Sequence, residues 1–368
     1  MIIYIFTILM LFVFSVFEET YQVSQRLKSW MTTISFVFLV IQVGLRWETG
    51  TDWVPYYDHF VAFRGFTSII ISDFEYGYGF FEFVISQFTL NYSVFLLVHA
   101  IIYYSLIFKS FKNYSHNLYL TLMMFYTLSM GVMGSNRQLI ALAICIFAVK
   151  FIKEKKPIIF FVLVLIATSF HTTAYIFAIY YFLNKDIKPV RFILILGSAI
   201  IIGKTQIPLI IISRFSELIG GNLLYKTSVY TDGTKEVLAV SKLSIMGLMK
   251  RLSFLLLFYY NRTKLKDNLK YYTIMLNGYF VGIIFYFLFA DTLLILVNRG
   301  SLYFTIMEPL LIASQILLLK RKDTKFVGLL ILLMFSLIFF FQSISVYSDL
   351  FIPYKGIFIN QDYHRLMY

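Results

Sequence analysis

Apolar runs of about 15 to 26 residues recur from one end of the chain to the other, broken by short polar and basic stretches. They fall at 1–17, 31–45, 93–108, 118–133, 138–152, 158–183, 191–203, 243–260, 271–290, 300–319 and 326–345. Runs of this kind predict helices crossing a bilayer, because a backbone in lipid must satisfy its own polar groups. A shorter apolar piece, 78–90, predicts a partly inserted or interfacial helix. The pattern reads as an all-α, polytopic membrane protein with about 11 to 13 helices, short broken ones included.

Basic residues between the runs set an orientation. Loops carrying Arg26 and Lys28, Lys109 and Lys112, Lys153 to Lys156, Lys185 to Arg191, Arg262 to Lys270, and Lys320 to Lys325 are expected on the cytoplasmic side. Both termini then face outward, as do the acidic loop 46–77 and a long loop, 204–242. Within the second loop, Gly220-Gly221 and Asp232-Gly233 read as turns, and helical segments on the outer membrane surface are expected. The run 158–183 lies between two cytoplasmic loops, which one straight helix cannot join. A break near Phe170-His171-Thr172-Thr173 repairs the parity and leaves two short arms with His171 at the apex.

Composition agrees with a membrane solvent: 60% of residues are hydrophobic and 14% charged, against about 25% charged in soluble domains. The net charge of +13 would suggest nucleic acid in a soluble protein; here its place in short loops makes it a topology signal, and no nucleic-acid partner is expected. The single cysteine, Cys145, excludes a disulfide within the chain. Residues 1–17 lack a basic leader and read as a retained first helix. The expected organisation is one integral membrane domain, 1–368.

Against this background the segment RWETGTDWVPYY, Arg46 to Tyr57, stands out. Polar groups at a bilayer are costly and tend to be functional. Arg46, Arg137 and Arg299 fall on the outer side, where short loops disfavour basic residues. One alone reads equally as a snorkelling side chain; together they suit an anion site, since guanidinium groups hold phosphate oxygens in a planar fork. Gln138 follows Arg137, and Lys250-Arg251 falls inside an apolar run, either at membrane depth or at a boundary drawn too wide. His171 and Asp52 are the candidate bases, with a core histidine and a turn cap as the structural alternatives. Trp47, Trp53, Tyr56 and Tyr57 are either interfacial aromatics or a platform for a sugar ring. The tail adds Tyr354, Lys355, Asp362, His364 and Arg365.

No Walker A run and no HExxH or other metal-ligand spacing occurs, and no soluble domain is present to hold a nucleotide-sugar. An outward anion site without nucleotide machinery suggests an activated lipid donor, such as a polyprenyl-pyrophosphate sugar, whose leaving group cations would neutralise.

Several segments resemble the EpsG/Wzy-type exopolysaccharide and O-antigen repeat-unit polymerases. They are GLRWETGTDWVPYYDHF at 44–60, FEYGYGFFEFV at 74–84, NRQLIALAICIFAVKFI at 136–152, IATSFHTTAYIF at 166–177, NRGSLYF at 298–304 and PYKGIF at 353–358. The chain departs from that pattern at Tyr76, where such proteins often carry proline. The resemblance implies a C-type glycosyltransferase-like membrane core in a bacterial cytoplasmic membrane. It implies transfer of a growing glycan from one polyprenyl pyrophosphate to a new lipid-linked repeat unit; with no metal-ligand spacing in the chain, the expected reaction is metal-independent and without cofactor. A chain-length regulator and a flippase are the implied partners. Matching positions are Arg46 and Asp52, Arg137 and Gln138, His171, and Arg299. On this reading Arg137, Arg299 and Arg251 or Arg46 hold pyrophosphate, and His171 or Asp52 is the base. Two alternatives stay open: a flippase using the same arginines without bond chemistry, and a membrane O-acyltransferase.

Overall fold

The computed structural model describes residues 1–365 except 22, 64, 72, 220–244, 292–296 and 298–299. The described residues form α and 3-10 helices, and the sole β features among them are isolated bridges. Five helices are long and apolar enough to cross a membrane: α1 (Ile2–Thr20), α2 (Gln25–Gly44), α6 (Tyr92–Tyr114), and two later ones, Tyr272–Phe289 and Lys322–Ile344. The pair α10 (Pro189–Gly203) and α11 (Ile207–Ile219) is bent by 82° and makes a sixth if counted as one broken span. The chain is a multi-pass helical membrane protein.

Between α2 and α6, the expected outer loop contains three short helices: α3 (Trp53–Val61), α4 (Phe66–Ile71) and α5 (Tyr76–Ser86). After α6 come α7 (Leu118–Ser129), α8 (Asn136–Lys153) and α9 (Pro157–Phe170). Local chemistry fixes several starts. The Ser24, Asn91 and Asn117 side chains accept from the backbone amides of Leu27, Ser93 and Leu120, satisfying donors that a first helical turn leaves open. Pro157 and Pro189 open α9 and α10, where a missing N–H costs nothing.

The break expected near His171 is present. α9 ends at Phe170, His171 is extended (φ −153°, ψ 116°), and a 3-10 helix runs from Thr172 to Phe182. The second arm is therefore a tighter helix than the α-helix expected. The run 300–319, read as one span, is divided into Leu302–Thr305, Glu308–Ser314 and a 3-10 turn, Gln315–Leu318. Part of the reason is Pro309, which has no amide to continue a preceding helix. The turns expected at Gly220-Gly221 and Asp232-Gly233 lie outside the described residues.

The chain divides into two compact units: Met1–Ala178 with Pro309–Tyr368, and Ile179–Glu308. In the first, α1 packs on α7 and on Lys322–Ile344, α2 on α6, and α8 lies between α6 and α9. Its polar side chains point inward and pair there. Thr7 donates to Gln42 (3.1 Å), and Gln42 donates to the Tyr126 hydroxyl (2.7 Å). Outward faces carry large apolar side chains, such as Phe6, Leu9, Val13 and Phe17 on α1. This is the distribution expected when the solvent is lipid and helices are joined by packing and polar contacts. In the second unit, Tyr272–Phe289 is the centre against which α10 and α12 (Ile245–Tyr260) pack.

Candidate active site

Two backbone devices assemble the site in the first unit. Gly134 has φ +117°, and a side chain there would run into the Thr51 backbone, so the turn before α8 lies directly on the RWETGTDW segment. Gly77 near the start of α5 faces Ser169 near the end of α9, where a Cβ would sit 2.7 Å from the Ser169 carbonyl oxygen. This close approach carries Glu75, just before α5, to the break at His171.

Glu75 is the hub. Its Oε2 accepts from Arg137 Nη1 at 2.6 Å, and its Oε1 accepts from the Thr172 amide and hydroxyl, both at 3.0 Å. The carboxylate thus caps the 3-10 helix from 97 residues away in sequence, where the helix leaves its first amides unpaired. His171 Nδ1 lies 3.5 Å from Oε1, an electrostatic neighbour too distant for a full hydrogen bond, and neither ring nitrogen bonds to another described residue. Burial raises the Glu75 carboxyl, but His171, the Arg137 guanidinium and the Thr172 amide outweigh it and hold the group well below the usual carboxylate range.

Arg137 stands second in α8. Its Nε donates to the Tyr56 hydroxyl at 3.1 Å, and its guanidinium lies 4.1 Å from the centre of the Phe74 ring. His59 stacks on Phe74 as well, at 4.1 Å. Arg137 Nη2 makes no hydrogen bond to a described residue, and the side chain keeps 21% of its exposure. It can therefore offer a donor outward while Glu75, Tyr56 and Phe74 fix its plane. Asp52 is exposed, in a left-handed conformation (φ 56°) ahead of α3, and its Oδ2 accepts from Ser135 at 3.1 Å.

A family model, described as the EpsG family, matches residues 29–356 of the 368. The chain belongs to the EpsG family. No curated protein and no solved structure matches it. Membership marks a polysaccharide-polymerase-like membrane protein, and the residues meeting at Glu75 come from four of the segments that carry the family resemblance: 44–60, 74–84, 136–152 and 166–177.

Other expected site residues of this EpsG chain lie differently. Arg46 is completely buried; it donates to the Val43 carbonyl (2.6 Å) and to Asn136 Oδ1 (2.7 Å). Burial lowers its pKa from the ordinary value, with the hydroxyls of Tyr92 and Tyr354 opposing. Burial pushes the Tyr354 hydroxyl up to about 12, against the pull of Arg46. As folded, Arg46 offers nothing to a ligand and instead ties the end of α2 to the start of α8. Trp53 and Tyr56 are also buried, with Tyr57 partly so, and Trp53 and Tyr57 stack on each other at 4.9 Å. Gln138 is buried. Arg251 lies in the second unit, inside α12, where it and Lys250 are charge neighbours of the buried Glu308. Arg299 lies outside the described residues.

Glu75 and Thr172 were not among the expected site residues. Glu75 belongs to the acidic loop 46–77, and only the fold shows that it turns inward to Arg137 and Thr172 while Asp52 stays exposed.

Arg46→Ala removes two buried charge-assisted hydrogen bonds and strands Asn136, at a cost of about 3 kcal/mol; thermal unfolding in detergent should show a clear drop in melting temperature. Glu75 has a depressed pKa in the folded state, so its stabilisation is complete above the unfolded carboxylate value, about 4.3, and is lost as pH falls below it. Melting temperature should therefore fall on acidification through that range, and fall less in Glu75→Gln.

Proposed function

We propose that this EpsG-family chain is a polysaccharide polymerase of the bacterial cytoplasmic membrane, working on its outer face. It joins oligosaccharide repeat units carried on polyprenyl pyrophosphate, by metal-independent glycosyl transfer. The observation that carries this reading is the cluster in which a fixed, partly exposed guanidinium stands beside a buried imidazole with no hydrogen bond to a described residue, one carboxylate being bonded to the first and 3.5 Å from the second.

In this mechanism Arg137 binds the donor pyrophosphate and neutralises charge as it leaves. His171 takes the proton from the acceptor hydroxyl, whose oxygen attacks the anomeric carbon of the donor sugar. The bond from that carbon to the pyrophosphate oxygen breaks, and polyprenyl pyrophosphate departs. Glu75, 3.5 Å from His171 Nδ1, balances the imidazolium that forms. Asp52, bonded to Ser135 and exposed, holds the turn before α3 to the start of α8. Direct displacement with inversion is the simplest course.

Purified protein supplied with a synthetic polyprenyl-pyrophosphate repeat unit tests the reading, with and without EDTA. A gel ladder that resists the chelator is the expected result. A folded protein that makes no ladder, yet moves the lipid-linked substrate across proteoliposomes, would transfer the assignment to a flippase.

A further inference from the structure

The PYKGIF segment takes no part in the cluster around Glu75, yet it is bound closely to the RWETGTDW segment. The Trp47 amide donates to the Lys355 carbonyl (2.9 Å), the Ile357 amide to the Leu45 carbonyl (3.0 Å) and the Lys355 amide to the Thr49 hydroxyl (3.0 Å). Arg46 and Gly356 form an antiparallel bridge. Lys355 is 4% exposed, and its Nζ donates to Glu48 Oε2 at 2.8 Å, while Trp47 Nε1 donates to Glu48 Oε1 at 3.2 Å. A buried ion pair of this kind needs both partners in place.

Beside this pair opens a cavity of about 280 Å³, lined by Trp47, Lys355, Gly356, Ile357 and Gln361. Its size is at the lower limit of ligand sites, about 300 Å³. The lining joins an indole, an amide side chain and backbone to a lysine whose charge Glu48 already balances. That chemistry is wrong for a pyrophosphate and right for a polyhydroxylated ring, which sets C–H faces on aromatic planes and hydroxyls on amide and charged groups. Of the other aromatic candidates, Trp53 and Tyr56 are 5% and 4% exposed and the partly buried Tyr57 stacks on Trp53 at 4.9 Å, whereas Trp47 lines the opening.

The cavity is linked to the cluster through α3. Trp47 packs on Trp53, the first residue of α3, at 4.7 Å between ring centres, and Tyr56, which holds Arg137, is three residues on. That step is about 4.5 Å along a helix axis. We infer that the cavity is a saccharide subsite: it holds one sugar residue of a repeat unit or growing chain close to the transfer site. This rests on the polymerase reading for its substrate.

The test uses the full-length protein and the lipid-free repeat-unit oligosaccharide as probe. Saturation-transfer NMR is recorded on wild type, Trp47→Ala and Gln361→Ala, with kcat and KM for polymer formation measured in parallel. Wild type should transfer saturation to sugar ring protons, and Trp47→Ala should lose most of it. Its KM should rise roughly 3- to 10-fold with kcat within about twofold. Gln361→Ala, at the rim, should shift both in the same direction by less. If Trp47→Ala unfolds, Trp47→Phe and Gln361→Ala carry the comparison. Unchanged saturation and KM in folded variants would overturn the subsite while leaving the polymerase reading intact. Trp47-dependent saturation in a wild type that forms no polymer would sustain the subsite and overturn the polymerase.

Discussion

Arg137→Ala is expected to reduce polymer formation on the order of 10² to 10³-fold, the loss typical when one preorganised donor to developing negative charge is removed. Arg137→Lys should recover little. An ammonium's three donors radiate from one nitrogen and do not reproduce the planar fork whose separate nitrogens reach Tyr56 and Glu75 over Phe74. Initial rates from reconstituted protein measure both. Because Arg137 also pairs with Glu75, thermal unfolding of each variant must accompany the rates. Wild-type activity from a folded Arg137→Ala would remove Arg137 from the mechanism.

His171→Ala is expected to lower kcat by about 10² to 10⁴-fold, the usual contribution of a positioned general base. The change should fall on kcat more than on KM, since the imidazole acts on the proton moved in the transition state. Glu75→Gln separates two roles of one side chain. Its amide oxygen can still accept from Thr172 and cap the 3-10 helix, but it no longer balances a charged imidazole. Activity should fall well below wild type while the fold is kept. Asp52→Asn should retain most activity, because Ser135 can still donate to its oxygen. Loss in Asp52→Asn with retention in His171→Ala would exchange the two roles.

The break at His171 could be read from the sequence by counting: one straight helix cannot join two basic loops that are expected on the same side. The helical spans were legible for a similar reason, since lipid requires long apolar runs whatever the tertiary fold. What the run 300–319 conceals is different. Its apolar residues continue on both sides of Glu308, and the division there owes part to the missing backbone donor of Pro309. The helices within 46–77 were hidden by polar residues that read as loop.

The site was legible in its residue types and not in its pairings. Arg46 and Arg137 look alike in sequence, each an arginine beside an apolar run. One is sealed against Asn136, 90 residues away, and the other reaches Glu75 with a donor to spare. Burial made that difference, and no local pattern encodes it. The aromatic reading shifted likewise: stacking consumed Trp53, and the open face passed to Trp47 through contacts with a segment some 300 residues further along.

The most direct measurement is the count of polyprenyl pyrophosphate released per repeat unit added, by mass spectrometry of a reaction containing only purified protein and lipid-linked repeat unit. The account predicts one lipid pyrophosphate released for each unit joined, with release abolished in Arg137→Ala. Full recovery of intact lipid-linked substrate from active-fold protein would contradict it.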